Sequence, residues 1–535
     1  MSQLKINGKT YEFKEGSTIL ECARENGISI PTMCYLKEIG ALTSCFICAV
    51  EVEGKANLIP SCAAKAEEGM EVITDSVKVK AARKKALELL LSDHTGDCLG
   101  PCHTGCPAHI NIPKFIDELR KGDNKSAIIT IKKSVALPAV LGRICPEICE
   151  KVCRRLEKDA TAVAICHLKR YAADFDLASA EPYMPAAGTS TGKKIAIVGG
   201  GTAGLTAAYF ARQLGHEVTI FEKNEKLGGC LRTEIKKERL PGEVLDKEIA
   251  QVLKLGVNLR LKTEIGKDIG LKEIMGNFDA VFLAAGWNAE VIEVFRKEGV
   301  AVEFTGPQIN KATFETNIKG VFAGEKTKLA VRASAVGRFA ATAIDRYLKG
   351  MPLEFERRPF SVKMGKVTKE ELAILSQGAS ESKRYLKSTV DMTITKENPG
   401  EERIAFLAGE AFEESKRCLK CACRKEESCL LKKYSTEYGA KTDAFKGEKR
   451  GFTQDVKKTG IVFESGKCIM CGICVKICKK NKEISGFAYI DRGFKSRIDV
   501  PFNKKINKVM EKTAEECVSK CPTGALAQQK IDNRK

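Results

Sequence analysis

The 535-residue chain contains no run of about 18 apolar residues, the length a membrane-crossing helix needs. Its opening, MSQLKINGKTYEF, lacks the basic-then-apolar order of a secretory signal. These absences predict a cytoplasmic protein without a membrane span, in a reducing compartment. The five histidines show no metalloprotease spacing, and neither a nucleophile elbow nor a phosphate loop occurs, so no catalytic residue is assigned. Only one glycine fingerprint for a dinucleotide is present. What abounds is cysteine, 23 in all. In a reducing compartment thiols in such number serve metals rather than disulfides, and their clustering agrees with that. The formal net charge of +20 raises the question of nucleic acid. Iron-bound thiolates would remove a good part of it, and the lysines are spread along the chain rather than forming one basic arm. No nucleic-acid partner is expected; a solvated surface or a docking face for an acidic electron carrier accounts for the charge. The length implies several domains.

LKINGKTYEFKEGSTILECARENG predicts two short strands around Asn7-Gly8, then a helix from about Thr18. Cys34, Cys45, Cys48 and Cys62 follow, separated by ten, two and thirteen residues. Four thiolates on loops beside a small sheet suit a [2Fe–2S] cluster, although the first interval exceeds the plant-type spacing. Zinc is the competing reading, because Cys-x2-Cys pairs serve it too. Cys22, inside the helix, reads as core. These residues resemble the N-terminal domain of the large iron–sulfur subunit of respiratory complex I and of iron-only hydrogenases, over roughly the first hundred residues. In that family a His joins three cysteines on the next cluster, and DHTGDC here supplies His94 and Cys98.

Cys98, Cys102 and Cys106 are four apart, as are Cys145, Cys149 and Cys153, so each triad presents its sulfurs in one direction on a helical turn. This portion is similar to the helical N-terminal domain of the glutamate synthase small subunit and of dihydropyrimidine dehydrogenase, which holds two [4Fe–4S] clusters with interleaved ligands. The resemblance implies Cys98, Cys102 and Cys153 on one cluster; His94 stands about where the family has another Cys and is read as the fourth ligand, with a surface imidazole as the alternative. It implies Cys106, Cys145 and Cys149 on the other. There the family uses Glu or Gln where this chain has Lys169; Cys166, one turn earlier, is the substitute, with a buried free thiol as the alternative. A Pro-, Ala- and Ser-rich stretch over 183–193 reads as a linker.

In KIAIVGGGTAGLTAAYF, Gly199, Gly201 and Gly204 follow an apolar strand and open a helix at Thr202 and Ala203; a second strand ends at Glu222. That full context predicts a pyrophosphate at a helix N-terminus and a carboxylate on a ribose hydroxyl. The resemblance to the glutamate synthase small subunit extends over 194–349, where that family holds FAD. It implies a cradle that also includes Lys223, Gly229, Arg232, Gly286, Gly324 and Glu325. Two departures stand out. The family inserts a complete nicotinamide-binding domain after the strand matching DAVFLAAG, but only about thirty residues separate Trp287 from Ile318, too few for it. Where the family has Asp near the flavin, this chain has Glu325-Lys326, so that either the lysine meets the pyrophosphate or the loop has decayed into a structural relic. Cys230 reads as packing.

RCLKCACRKEESC places Cys418, Cys421, Cys423 and Cys429 within twelve residues, a metal site for iron–sulfur or zinc. CIMCGICVKIC matches the bacterial ferredoxin run. Its partner run has lost thiols, leaving Cys468, Cys471, Cys474 and Cys521 for one [4Fe–4S] cluster and Cys478 and Cys517 as orphans.

The fold class expected is multidomain α/β. It comprises a β-grasp [2Fe–2S] domain (1–78), a helical domain with two [4Fe–4S] clusters (79–182) and a truncated Rossmann-like FAD domain (194–350). A connector with a metal site (351–450) and a bacterial-ferredoxin-like domain (451–535) complete it. The function expected is an iron–sulfur flavoprotein subunit of a larger complex, with one [2Fe–2S] cluster, three or four [4Fe–4S] clusters and FAD. Its partners would be NADH-flavoprotein-like, hydrogenase or dehydrogenase subunits, or ferredoxin. A self-sufficient NAD(P)H oxidoreductase and a zinc-bearing scaffold are the alternatives.

Overall fold

Alternating apolar residues in SQLKI and KTYEF set two antiparallel strands, Ser2–Ile6 and Lys9–Phe13, joined through Asn7 and Gly8, both at positive φ. The computed structural model describes residues 2–385, 406–504, 506 and 509–528. Residues 386–405, within the connector expected from sequence, lie outside the described residues. The chain divides into two units: Met1–Leu99 with Phe360–Gln377 and Cys421–Lys535, and Gly100–Pro359 with Gly378–Lys420. Residues 79–99, grouped on sequence with the helical segment, therefore belong to the first unit.

In the first unit the N-terminal sheet has five strands in the order Lys9–Phe13, Ser2–Ile6, Glu71–Ile73, Ala49–Val52, Ile59–Pro60. Ser2–Ile6 and Glu71–Ile73 pair in parallel. The helix Ile19–Glu25 starts at a capping box, Thr18 with Glu21, and buries Ile19, Leu20, Cys22 and Ala23 against the sheet's core, so Cys22 is core as expected. Near the C-terminus, Asp455–Val456, Ile461–Phe463 and Leu526–Gln528 form an antiparallel sheet. The helices Ile473–Lys480 and Ala514–Lys520 share one buried core with it.

In the second unit five parallel strands run in the order Val257–Leu261, Glu217–Glu222, Lys194–Val198, Ala280–Leu283, Val321–Ala323. Apart from the edge strand Val257–Leu261, their apolar runs are buried on both faces, as a parallel sheet requires. The helix Ala330–Leu348 lies against the helix Thr202–Gln213 so closely that a Cβ on Gly337 would stand 2.2 Å from the Ala203 carbonyl oxygen. Residues 284–320 hold one helix, Ala289–Lys297, and a two-stranded hairpin, Val302–Glu303 with Gly306–Pro307. The short helices between 101 and 178 pack around a further core of apolar residues and cysteines. Among the described residues, no helix is long and apolar enough to cross a membrane.

Candidate metal centres and dinucleotide cradle

In the first unit the loop before Ala49–Val52 brings Cys34, Cys45, Cys48 and Cys62 together, all buried. Thr43 and Phe46 take left-handed backbone conformations there, unusual for non-glycine residues and a mark of a loop shaped for a site. The thiols lie in pairs. Cys45 donates to Cys34 and holds its pKa to about 5. Cys62 donates to Cys48 and lowers it to about 7. Each pair can therefore carry charge, the form a metal needs.

A second group draws on both ends of that unit. His94, Cys98, Cys423 and Cys429 line one cavity, together with Asp97, Lys467 and Gly524. Cys423 N–H donates to the Cys98 carbonyl at 3.2 Å and Leu430 N–H to the Pro522 carbonyl at 2.8 Å, which fixes the late cysteines beside the early ones. A Cβ on Gly524 would stand 2.1 Å from Cys423 Sγ, so only glycine fits. His94 is 5% exposed, and its Nδ1 is buried without a hydrogen-bond partner. Burial, then the cations of Lys467, Arg450 and Lys449, hold the imidazole pKa to about 3. A neutral imidazole with a free buried lone pair has the electronic form of a metal ligand. Backbone N–H groups of Val362 and Lys432 already point at Cys98 Sγ and Cys429 Sγ, at 3.4 and 3.5 Å.

A third group, Cys468, Cys471, Cys474 and Cys521, sits around the start of the helix Ile473–Lys480, each of the first three within electrostatic reach of Cys521. Met470 N–H donates to Cys468 Sγ at 3.3 Å. Cys478 and Cys517, the expected orphans, are hydrogen-bonded to each other.

In the second unit Cys106, Cys145, Cys149 and Cys166 gather in one core, with the Lys169 ammonium among them. Cys166 Sγ contacts the Gly142 carbonyl at 3.4 Å and donates to Cys145, whose pKa it lowers to about 5. Burial pulls the Lys169 pKa down, but the four thiols raise it further, leaving it above the ordinary lysine value. Cys102, Cys153 and Cys418 lie at the edge of the same core. Burial, with the neighbouring Cys153, lifts the Cys418 pKa to about 11.

Within the first unit, Cys98 stands with His94, Cys423 and Cys429; within the second, Cys418 lies beside Cys153, with Cys102 at the edge of the same core. Cys421, half-buried, belongs to the first unit. Sequence reasoning also missed Lys467 and Lys169 as buried cations; the one signal was a lysine at a position where a ligand was expected. Cys230 is exposed rather than packed.

The glycine loop after Lys194–Val198 is closely built. A Cβ on Gly204 would stand 1.9 Å from the Gly199 carbonyl oxygen, whereas one on Gly201 would meet nothing within 4 Å. Gly201 therefore faces open space at the start of the helix Thr202–Gln213, whose first turn has no side-chain cap. Glu222 accepts from Gly200 N–H at 2.8 Å and from Asn224. Gly229, at positive φ, closes against Gly201, with 3.2 Å between its would-be Cβ and Gly201 Cα. Arg232 pairs with Asp246 at 2.5 Å, and Lys223 lies 3.8 Å from Glu264. Gly286 turns the chain at positive φ; Trp287 Nε1 donates to the Gly324 carbonyl at 2.6 Å, and Glu325 beside it is exposed. These residues fit a dinucleotide by the open glycine face and the uncapped helix start.

The sequence comparisons match three successive segments. Residues 1–77 match a family of 2Fe-2S iron-sulfur cluster binding domains, 75–181 the dihydropyrimidine dehydrogenase domain II with its 4Fe-4S cluster, and 197–262 an NAD(P)-binding Rossmann-like domain. The NADP(+)-dependent formate dehydrogenase subunit beta of Moorella thermoacetica is 37% identical over 227 residues, 38% of this chain and 31% of that protein. The NAD-dependent dihydropyrimidine dehydrogenase subunit PreT of Salmonella typhimurium is 38% identical over 189 residues, 35% of this chain and 45% of that protein. The glutamate synthase [NADPH] small chain of Mycobacterium tuberculosis is 34% identical over 215 residues, 39% of this chain and 44% of that protein. The chain thus spans less than half the length of each of these relatives. It matches a 2Fe-2S domain, a 4Fe-4S domain and a Rossmann-like dinucleotide domain, and it is similar over part of its length to subunits of oxidoreductases.

Proposed function

We propose that this chain is an electron relay within a multi-subunit oxidoreductase, with one [2Fe–2S] cluster on Cys34, Cys45, Cys48 and Cys62 and four [4Fe–4S] clusters, one on each of the three other four-residue groups and one on Cys102, Cys153 and Cys418. The gathering of His94 with Cys98, Cys423 and Cys429 carries this reading: a buried, unpartnered, neutral imidazole beside three thiols has no use in a packed core. Among the described residues no three His, Cys, Asp or Glu side chains converge tightly enough for a single ion. The match of 1–77 and 75–181 to iron-sulfur cluster domains is what favours clusters over zinc.

The Rossmann-like cradle holds FAD in this reading. Its segment 284–320 has one helix and a hairpin, without the strands of a second nucleotide domain. Electrons would enter or leave the flavin through the clusters or a partner subunit, as in a formate dehydrogenase, hydrogenase or NADH-linked assembly. The match of 197–262 to NAD(P)-binding domains supports a second reading, in which the same cradle takes the nicotinamide dinucleotide itself.

Anaerobically prepared full-length protein tests both. The relay predicts about 18 iron atoms per chain with matching acid-labile sulfide, and one extractable FAD. Zinc without sulfide overturns it. Bound NAD(P) in place of flavin, with NADPH reducing a dye through the isolated chain, selects the second reading.

A further inference from the structure

On the helix Ile165–Ala178, Cys166 and Lys169 are three residues apart and share a face, and both are buried in the core that holds Cys106, Cys145 and Cys149. Lys169 is 5% exposed, and its ammonium lies within electrostatic reach of all four sulfurs. A charge buried this deeply is costly unless anions face it. The groups that act on it most strongly are the four thiols, with no carboxylate among them. The other charges near these sulfurs are each local. Glu147 acts on Cys145 and Cys166, Glu150 acts on Cys149 and pairs with Arg384 at 2.7 Å, and Arg338 faces Cys106. Lys169 is the cation common to the whole group.

We propose that Lys169 is the fixed counter-charge of the cluster held by Cys106, Cys145, Cys149 and Cys166, and that it raises that cluster's reduction potential. The inference rests on the iron–sulfur reading above. Reduction adds one negative charge to a cluster that thiolates already make anionic. A cation held beside it in a low-dielectric core favours the reduced form more than the oxidised one. The helix fixes ligand and cation together, because Cys166 and Lys169 leave it one turn apart. Lys169 touches no substrate and is a positioning residue for electrons alone.

The test is an EPR-monitored redox titration of the full-length holoprotein and its Lys169→Met, Lys169→Arg and Cys166→Ser variants, with iron and sulfide measured on each. Lys169→Met is expected to keep its iron and to lower the reduction equilibrium constant of one [4Fe–4S] signal at least tenfold, which is 59 mV for a one-electron couple. Lys169→Arg should restore most of that shift. The signal that moves should be the one altered in Cys166→Ser. Iron lost from Lys169→Met but retained by Lys169→Arg also supports the proposal, since the charge is then what the cluster requires. Unmoved potentials with full iron, a shift in a signal that Cys166→Ser leaves alone, or iron lost equally from both Lys169 variants would each overturn it. Wild-type protein without iron and sulfide would instead overturn the relay reading beneath it.

Discussion

Arg155 donates from Nη1 to the backbone carbonyl of Arg417 at 3.0 Å, and both guanidinium groups lie wholly inside the protein. Arg417 in turn donates to Glu414 at 2.9 Å and to the Ala162 carbonyl at 3.0 Å. This knot joins two stretches some 260 residues apart in the chain, immediately beside Cys153 and Cys418.

Arg417→Met leaves Arg155 its bond to the residue-417 carbonyl but removes the guanidinium that neutralises the buried Glu414 carboxylate, which keeps only the Ala164 and Tyr385 N–H groups. The cost expected is about 3–5 kcal/mol of unfolding free energy. Iron analysis should show the loss of up to one [4Fe–4S] complement, with the [2Fe–2S] EPR signal unchanged. Full iron together with wild-type stability would remove the knot's assigned role.

His94→Ala removes the lone pair that faces the cavity of Cys98, Cys423 and Cys429. One [4Fe–4S] signal should disappear or change its line shape. His94→Cys should keep a cluster there at a lower potential, since a thiolate adds negative charge where a neutral imidazole stood. Identical EPR spectra for wild type and both variants would mean that His94 is no ligand.

Glu248 accepts from the backbone N–H groups of Ala139 and Val140, at 2.7 and 2.8 Å, at the start of the helix Pro138–Ile144. Burial outweighs these donors and lifts its pKa from 4.5 to about 7. The native chain therefore keeps a proton that the unfolded chain releases between about pH 4.5 and 7, and stability falls as pH rises through that window. Glu248→Gln cannot titrate. Denaturation across the window should show wild type losing up to about 3 kcal/mol relative to the variant; parallel curves would contradict the assignment.

Gly337→Ala sets a methyl group against the Ala203 carbonyl, with 2.2 Å where van der Waals contact needs far more. The helices must part, at a cost of about 1–3 kcal/mol. Because Ala203 belongs to the glycine loop's helix, bound dinucleotide should be retained less well. Gly276→Ala, a helical site where a Cβ meets nothing within 4 Å, serves as the control and should be neutral or stabilising. Equal denaturation midpoints for the two variants would show that the helix contact yields.

Local chemistry was legible in the sequence. The Asn7-Gly8 turn, the Thr18 helix start and the strand–glycine–helix order around Gly199 all depend on near neighbours. So does the ferredoxin run from Cys468, whose distant partner Cys521 a known spacing supplied. The grouping of Cys418 apart from Cys423 and Cys429 was not legible, because it is decided by Arg155, by the Pro522 carbonyl and by the clearance at Gly524. Proximity along the chain suggested one site; which residues neighbour Cys418, and which neighbour Cys423 and Cys429, depends on distant packing within each unit. Lys169 was visible only as a mismatch at a ligand position; its meaning depends on which sulfurs surround it.

His94 and Cys98 precede Cys423 and Cys429 by more than 320 residues and Gly524 by more than 420. The corner closes only when distant chain folds back onto it, the kind of contact whose loop-closure cost comes before its reward. On the proposed reading a cluster there depends on both stretches being in place, whereas the loops bearing Cys34 to Cys62 need only their own neighbourhood.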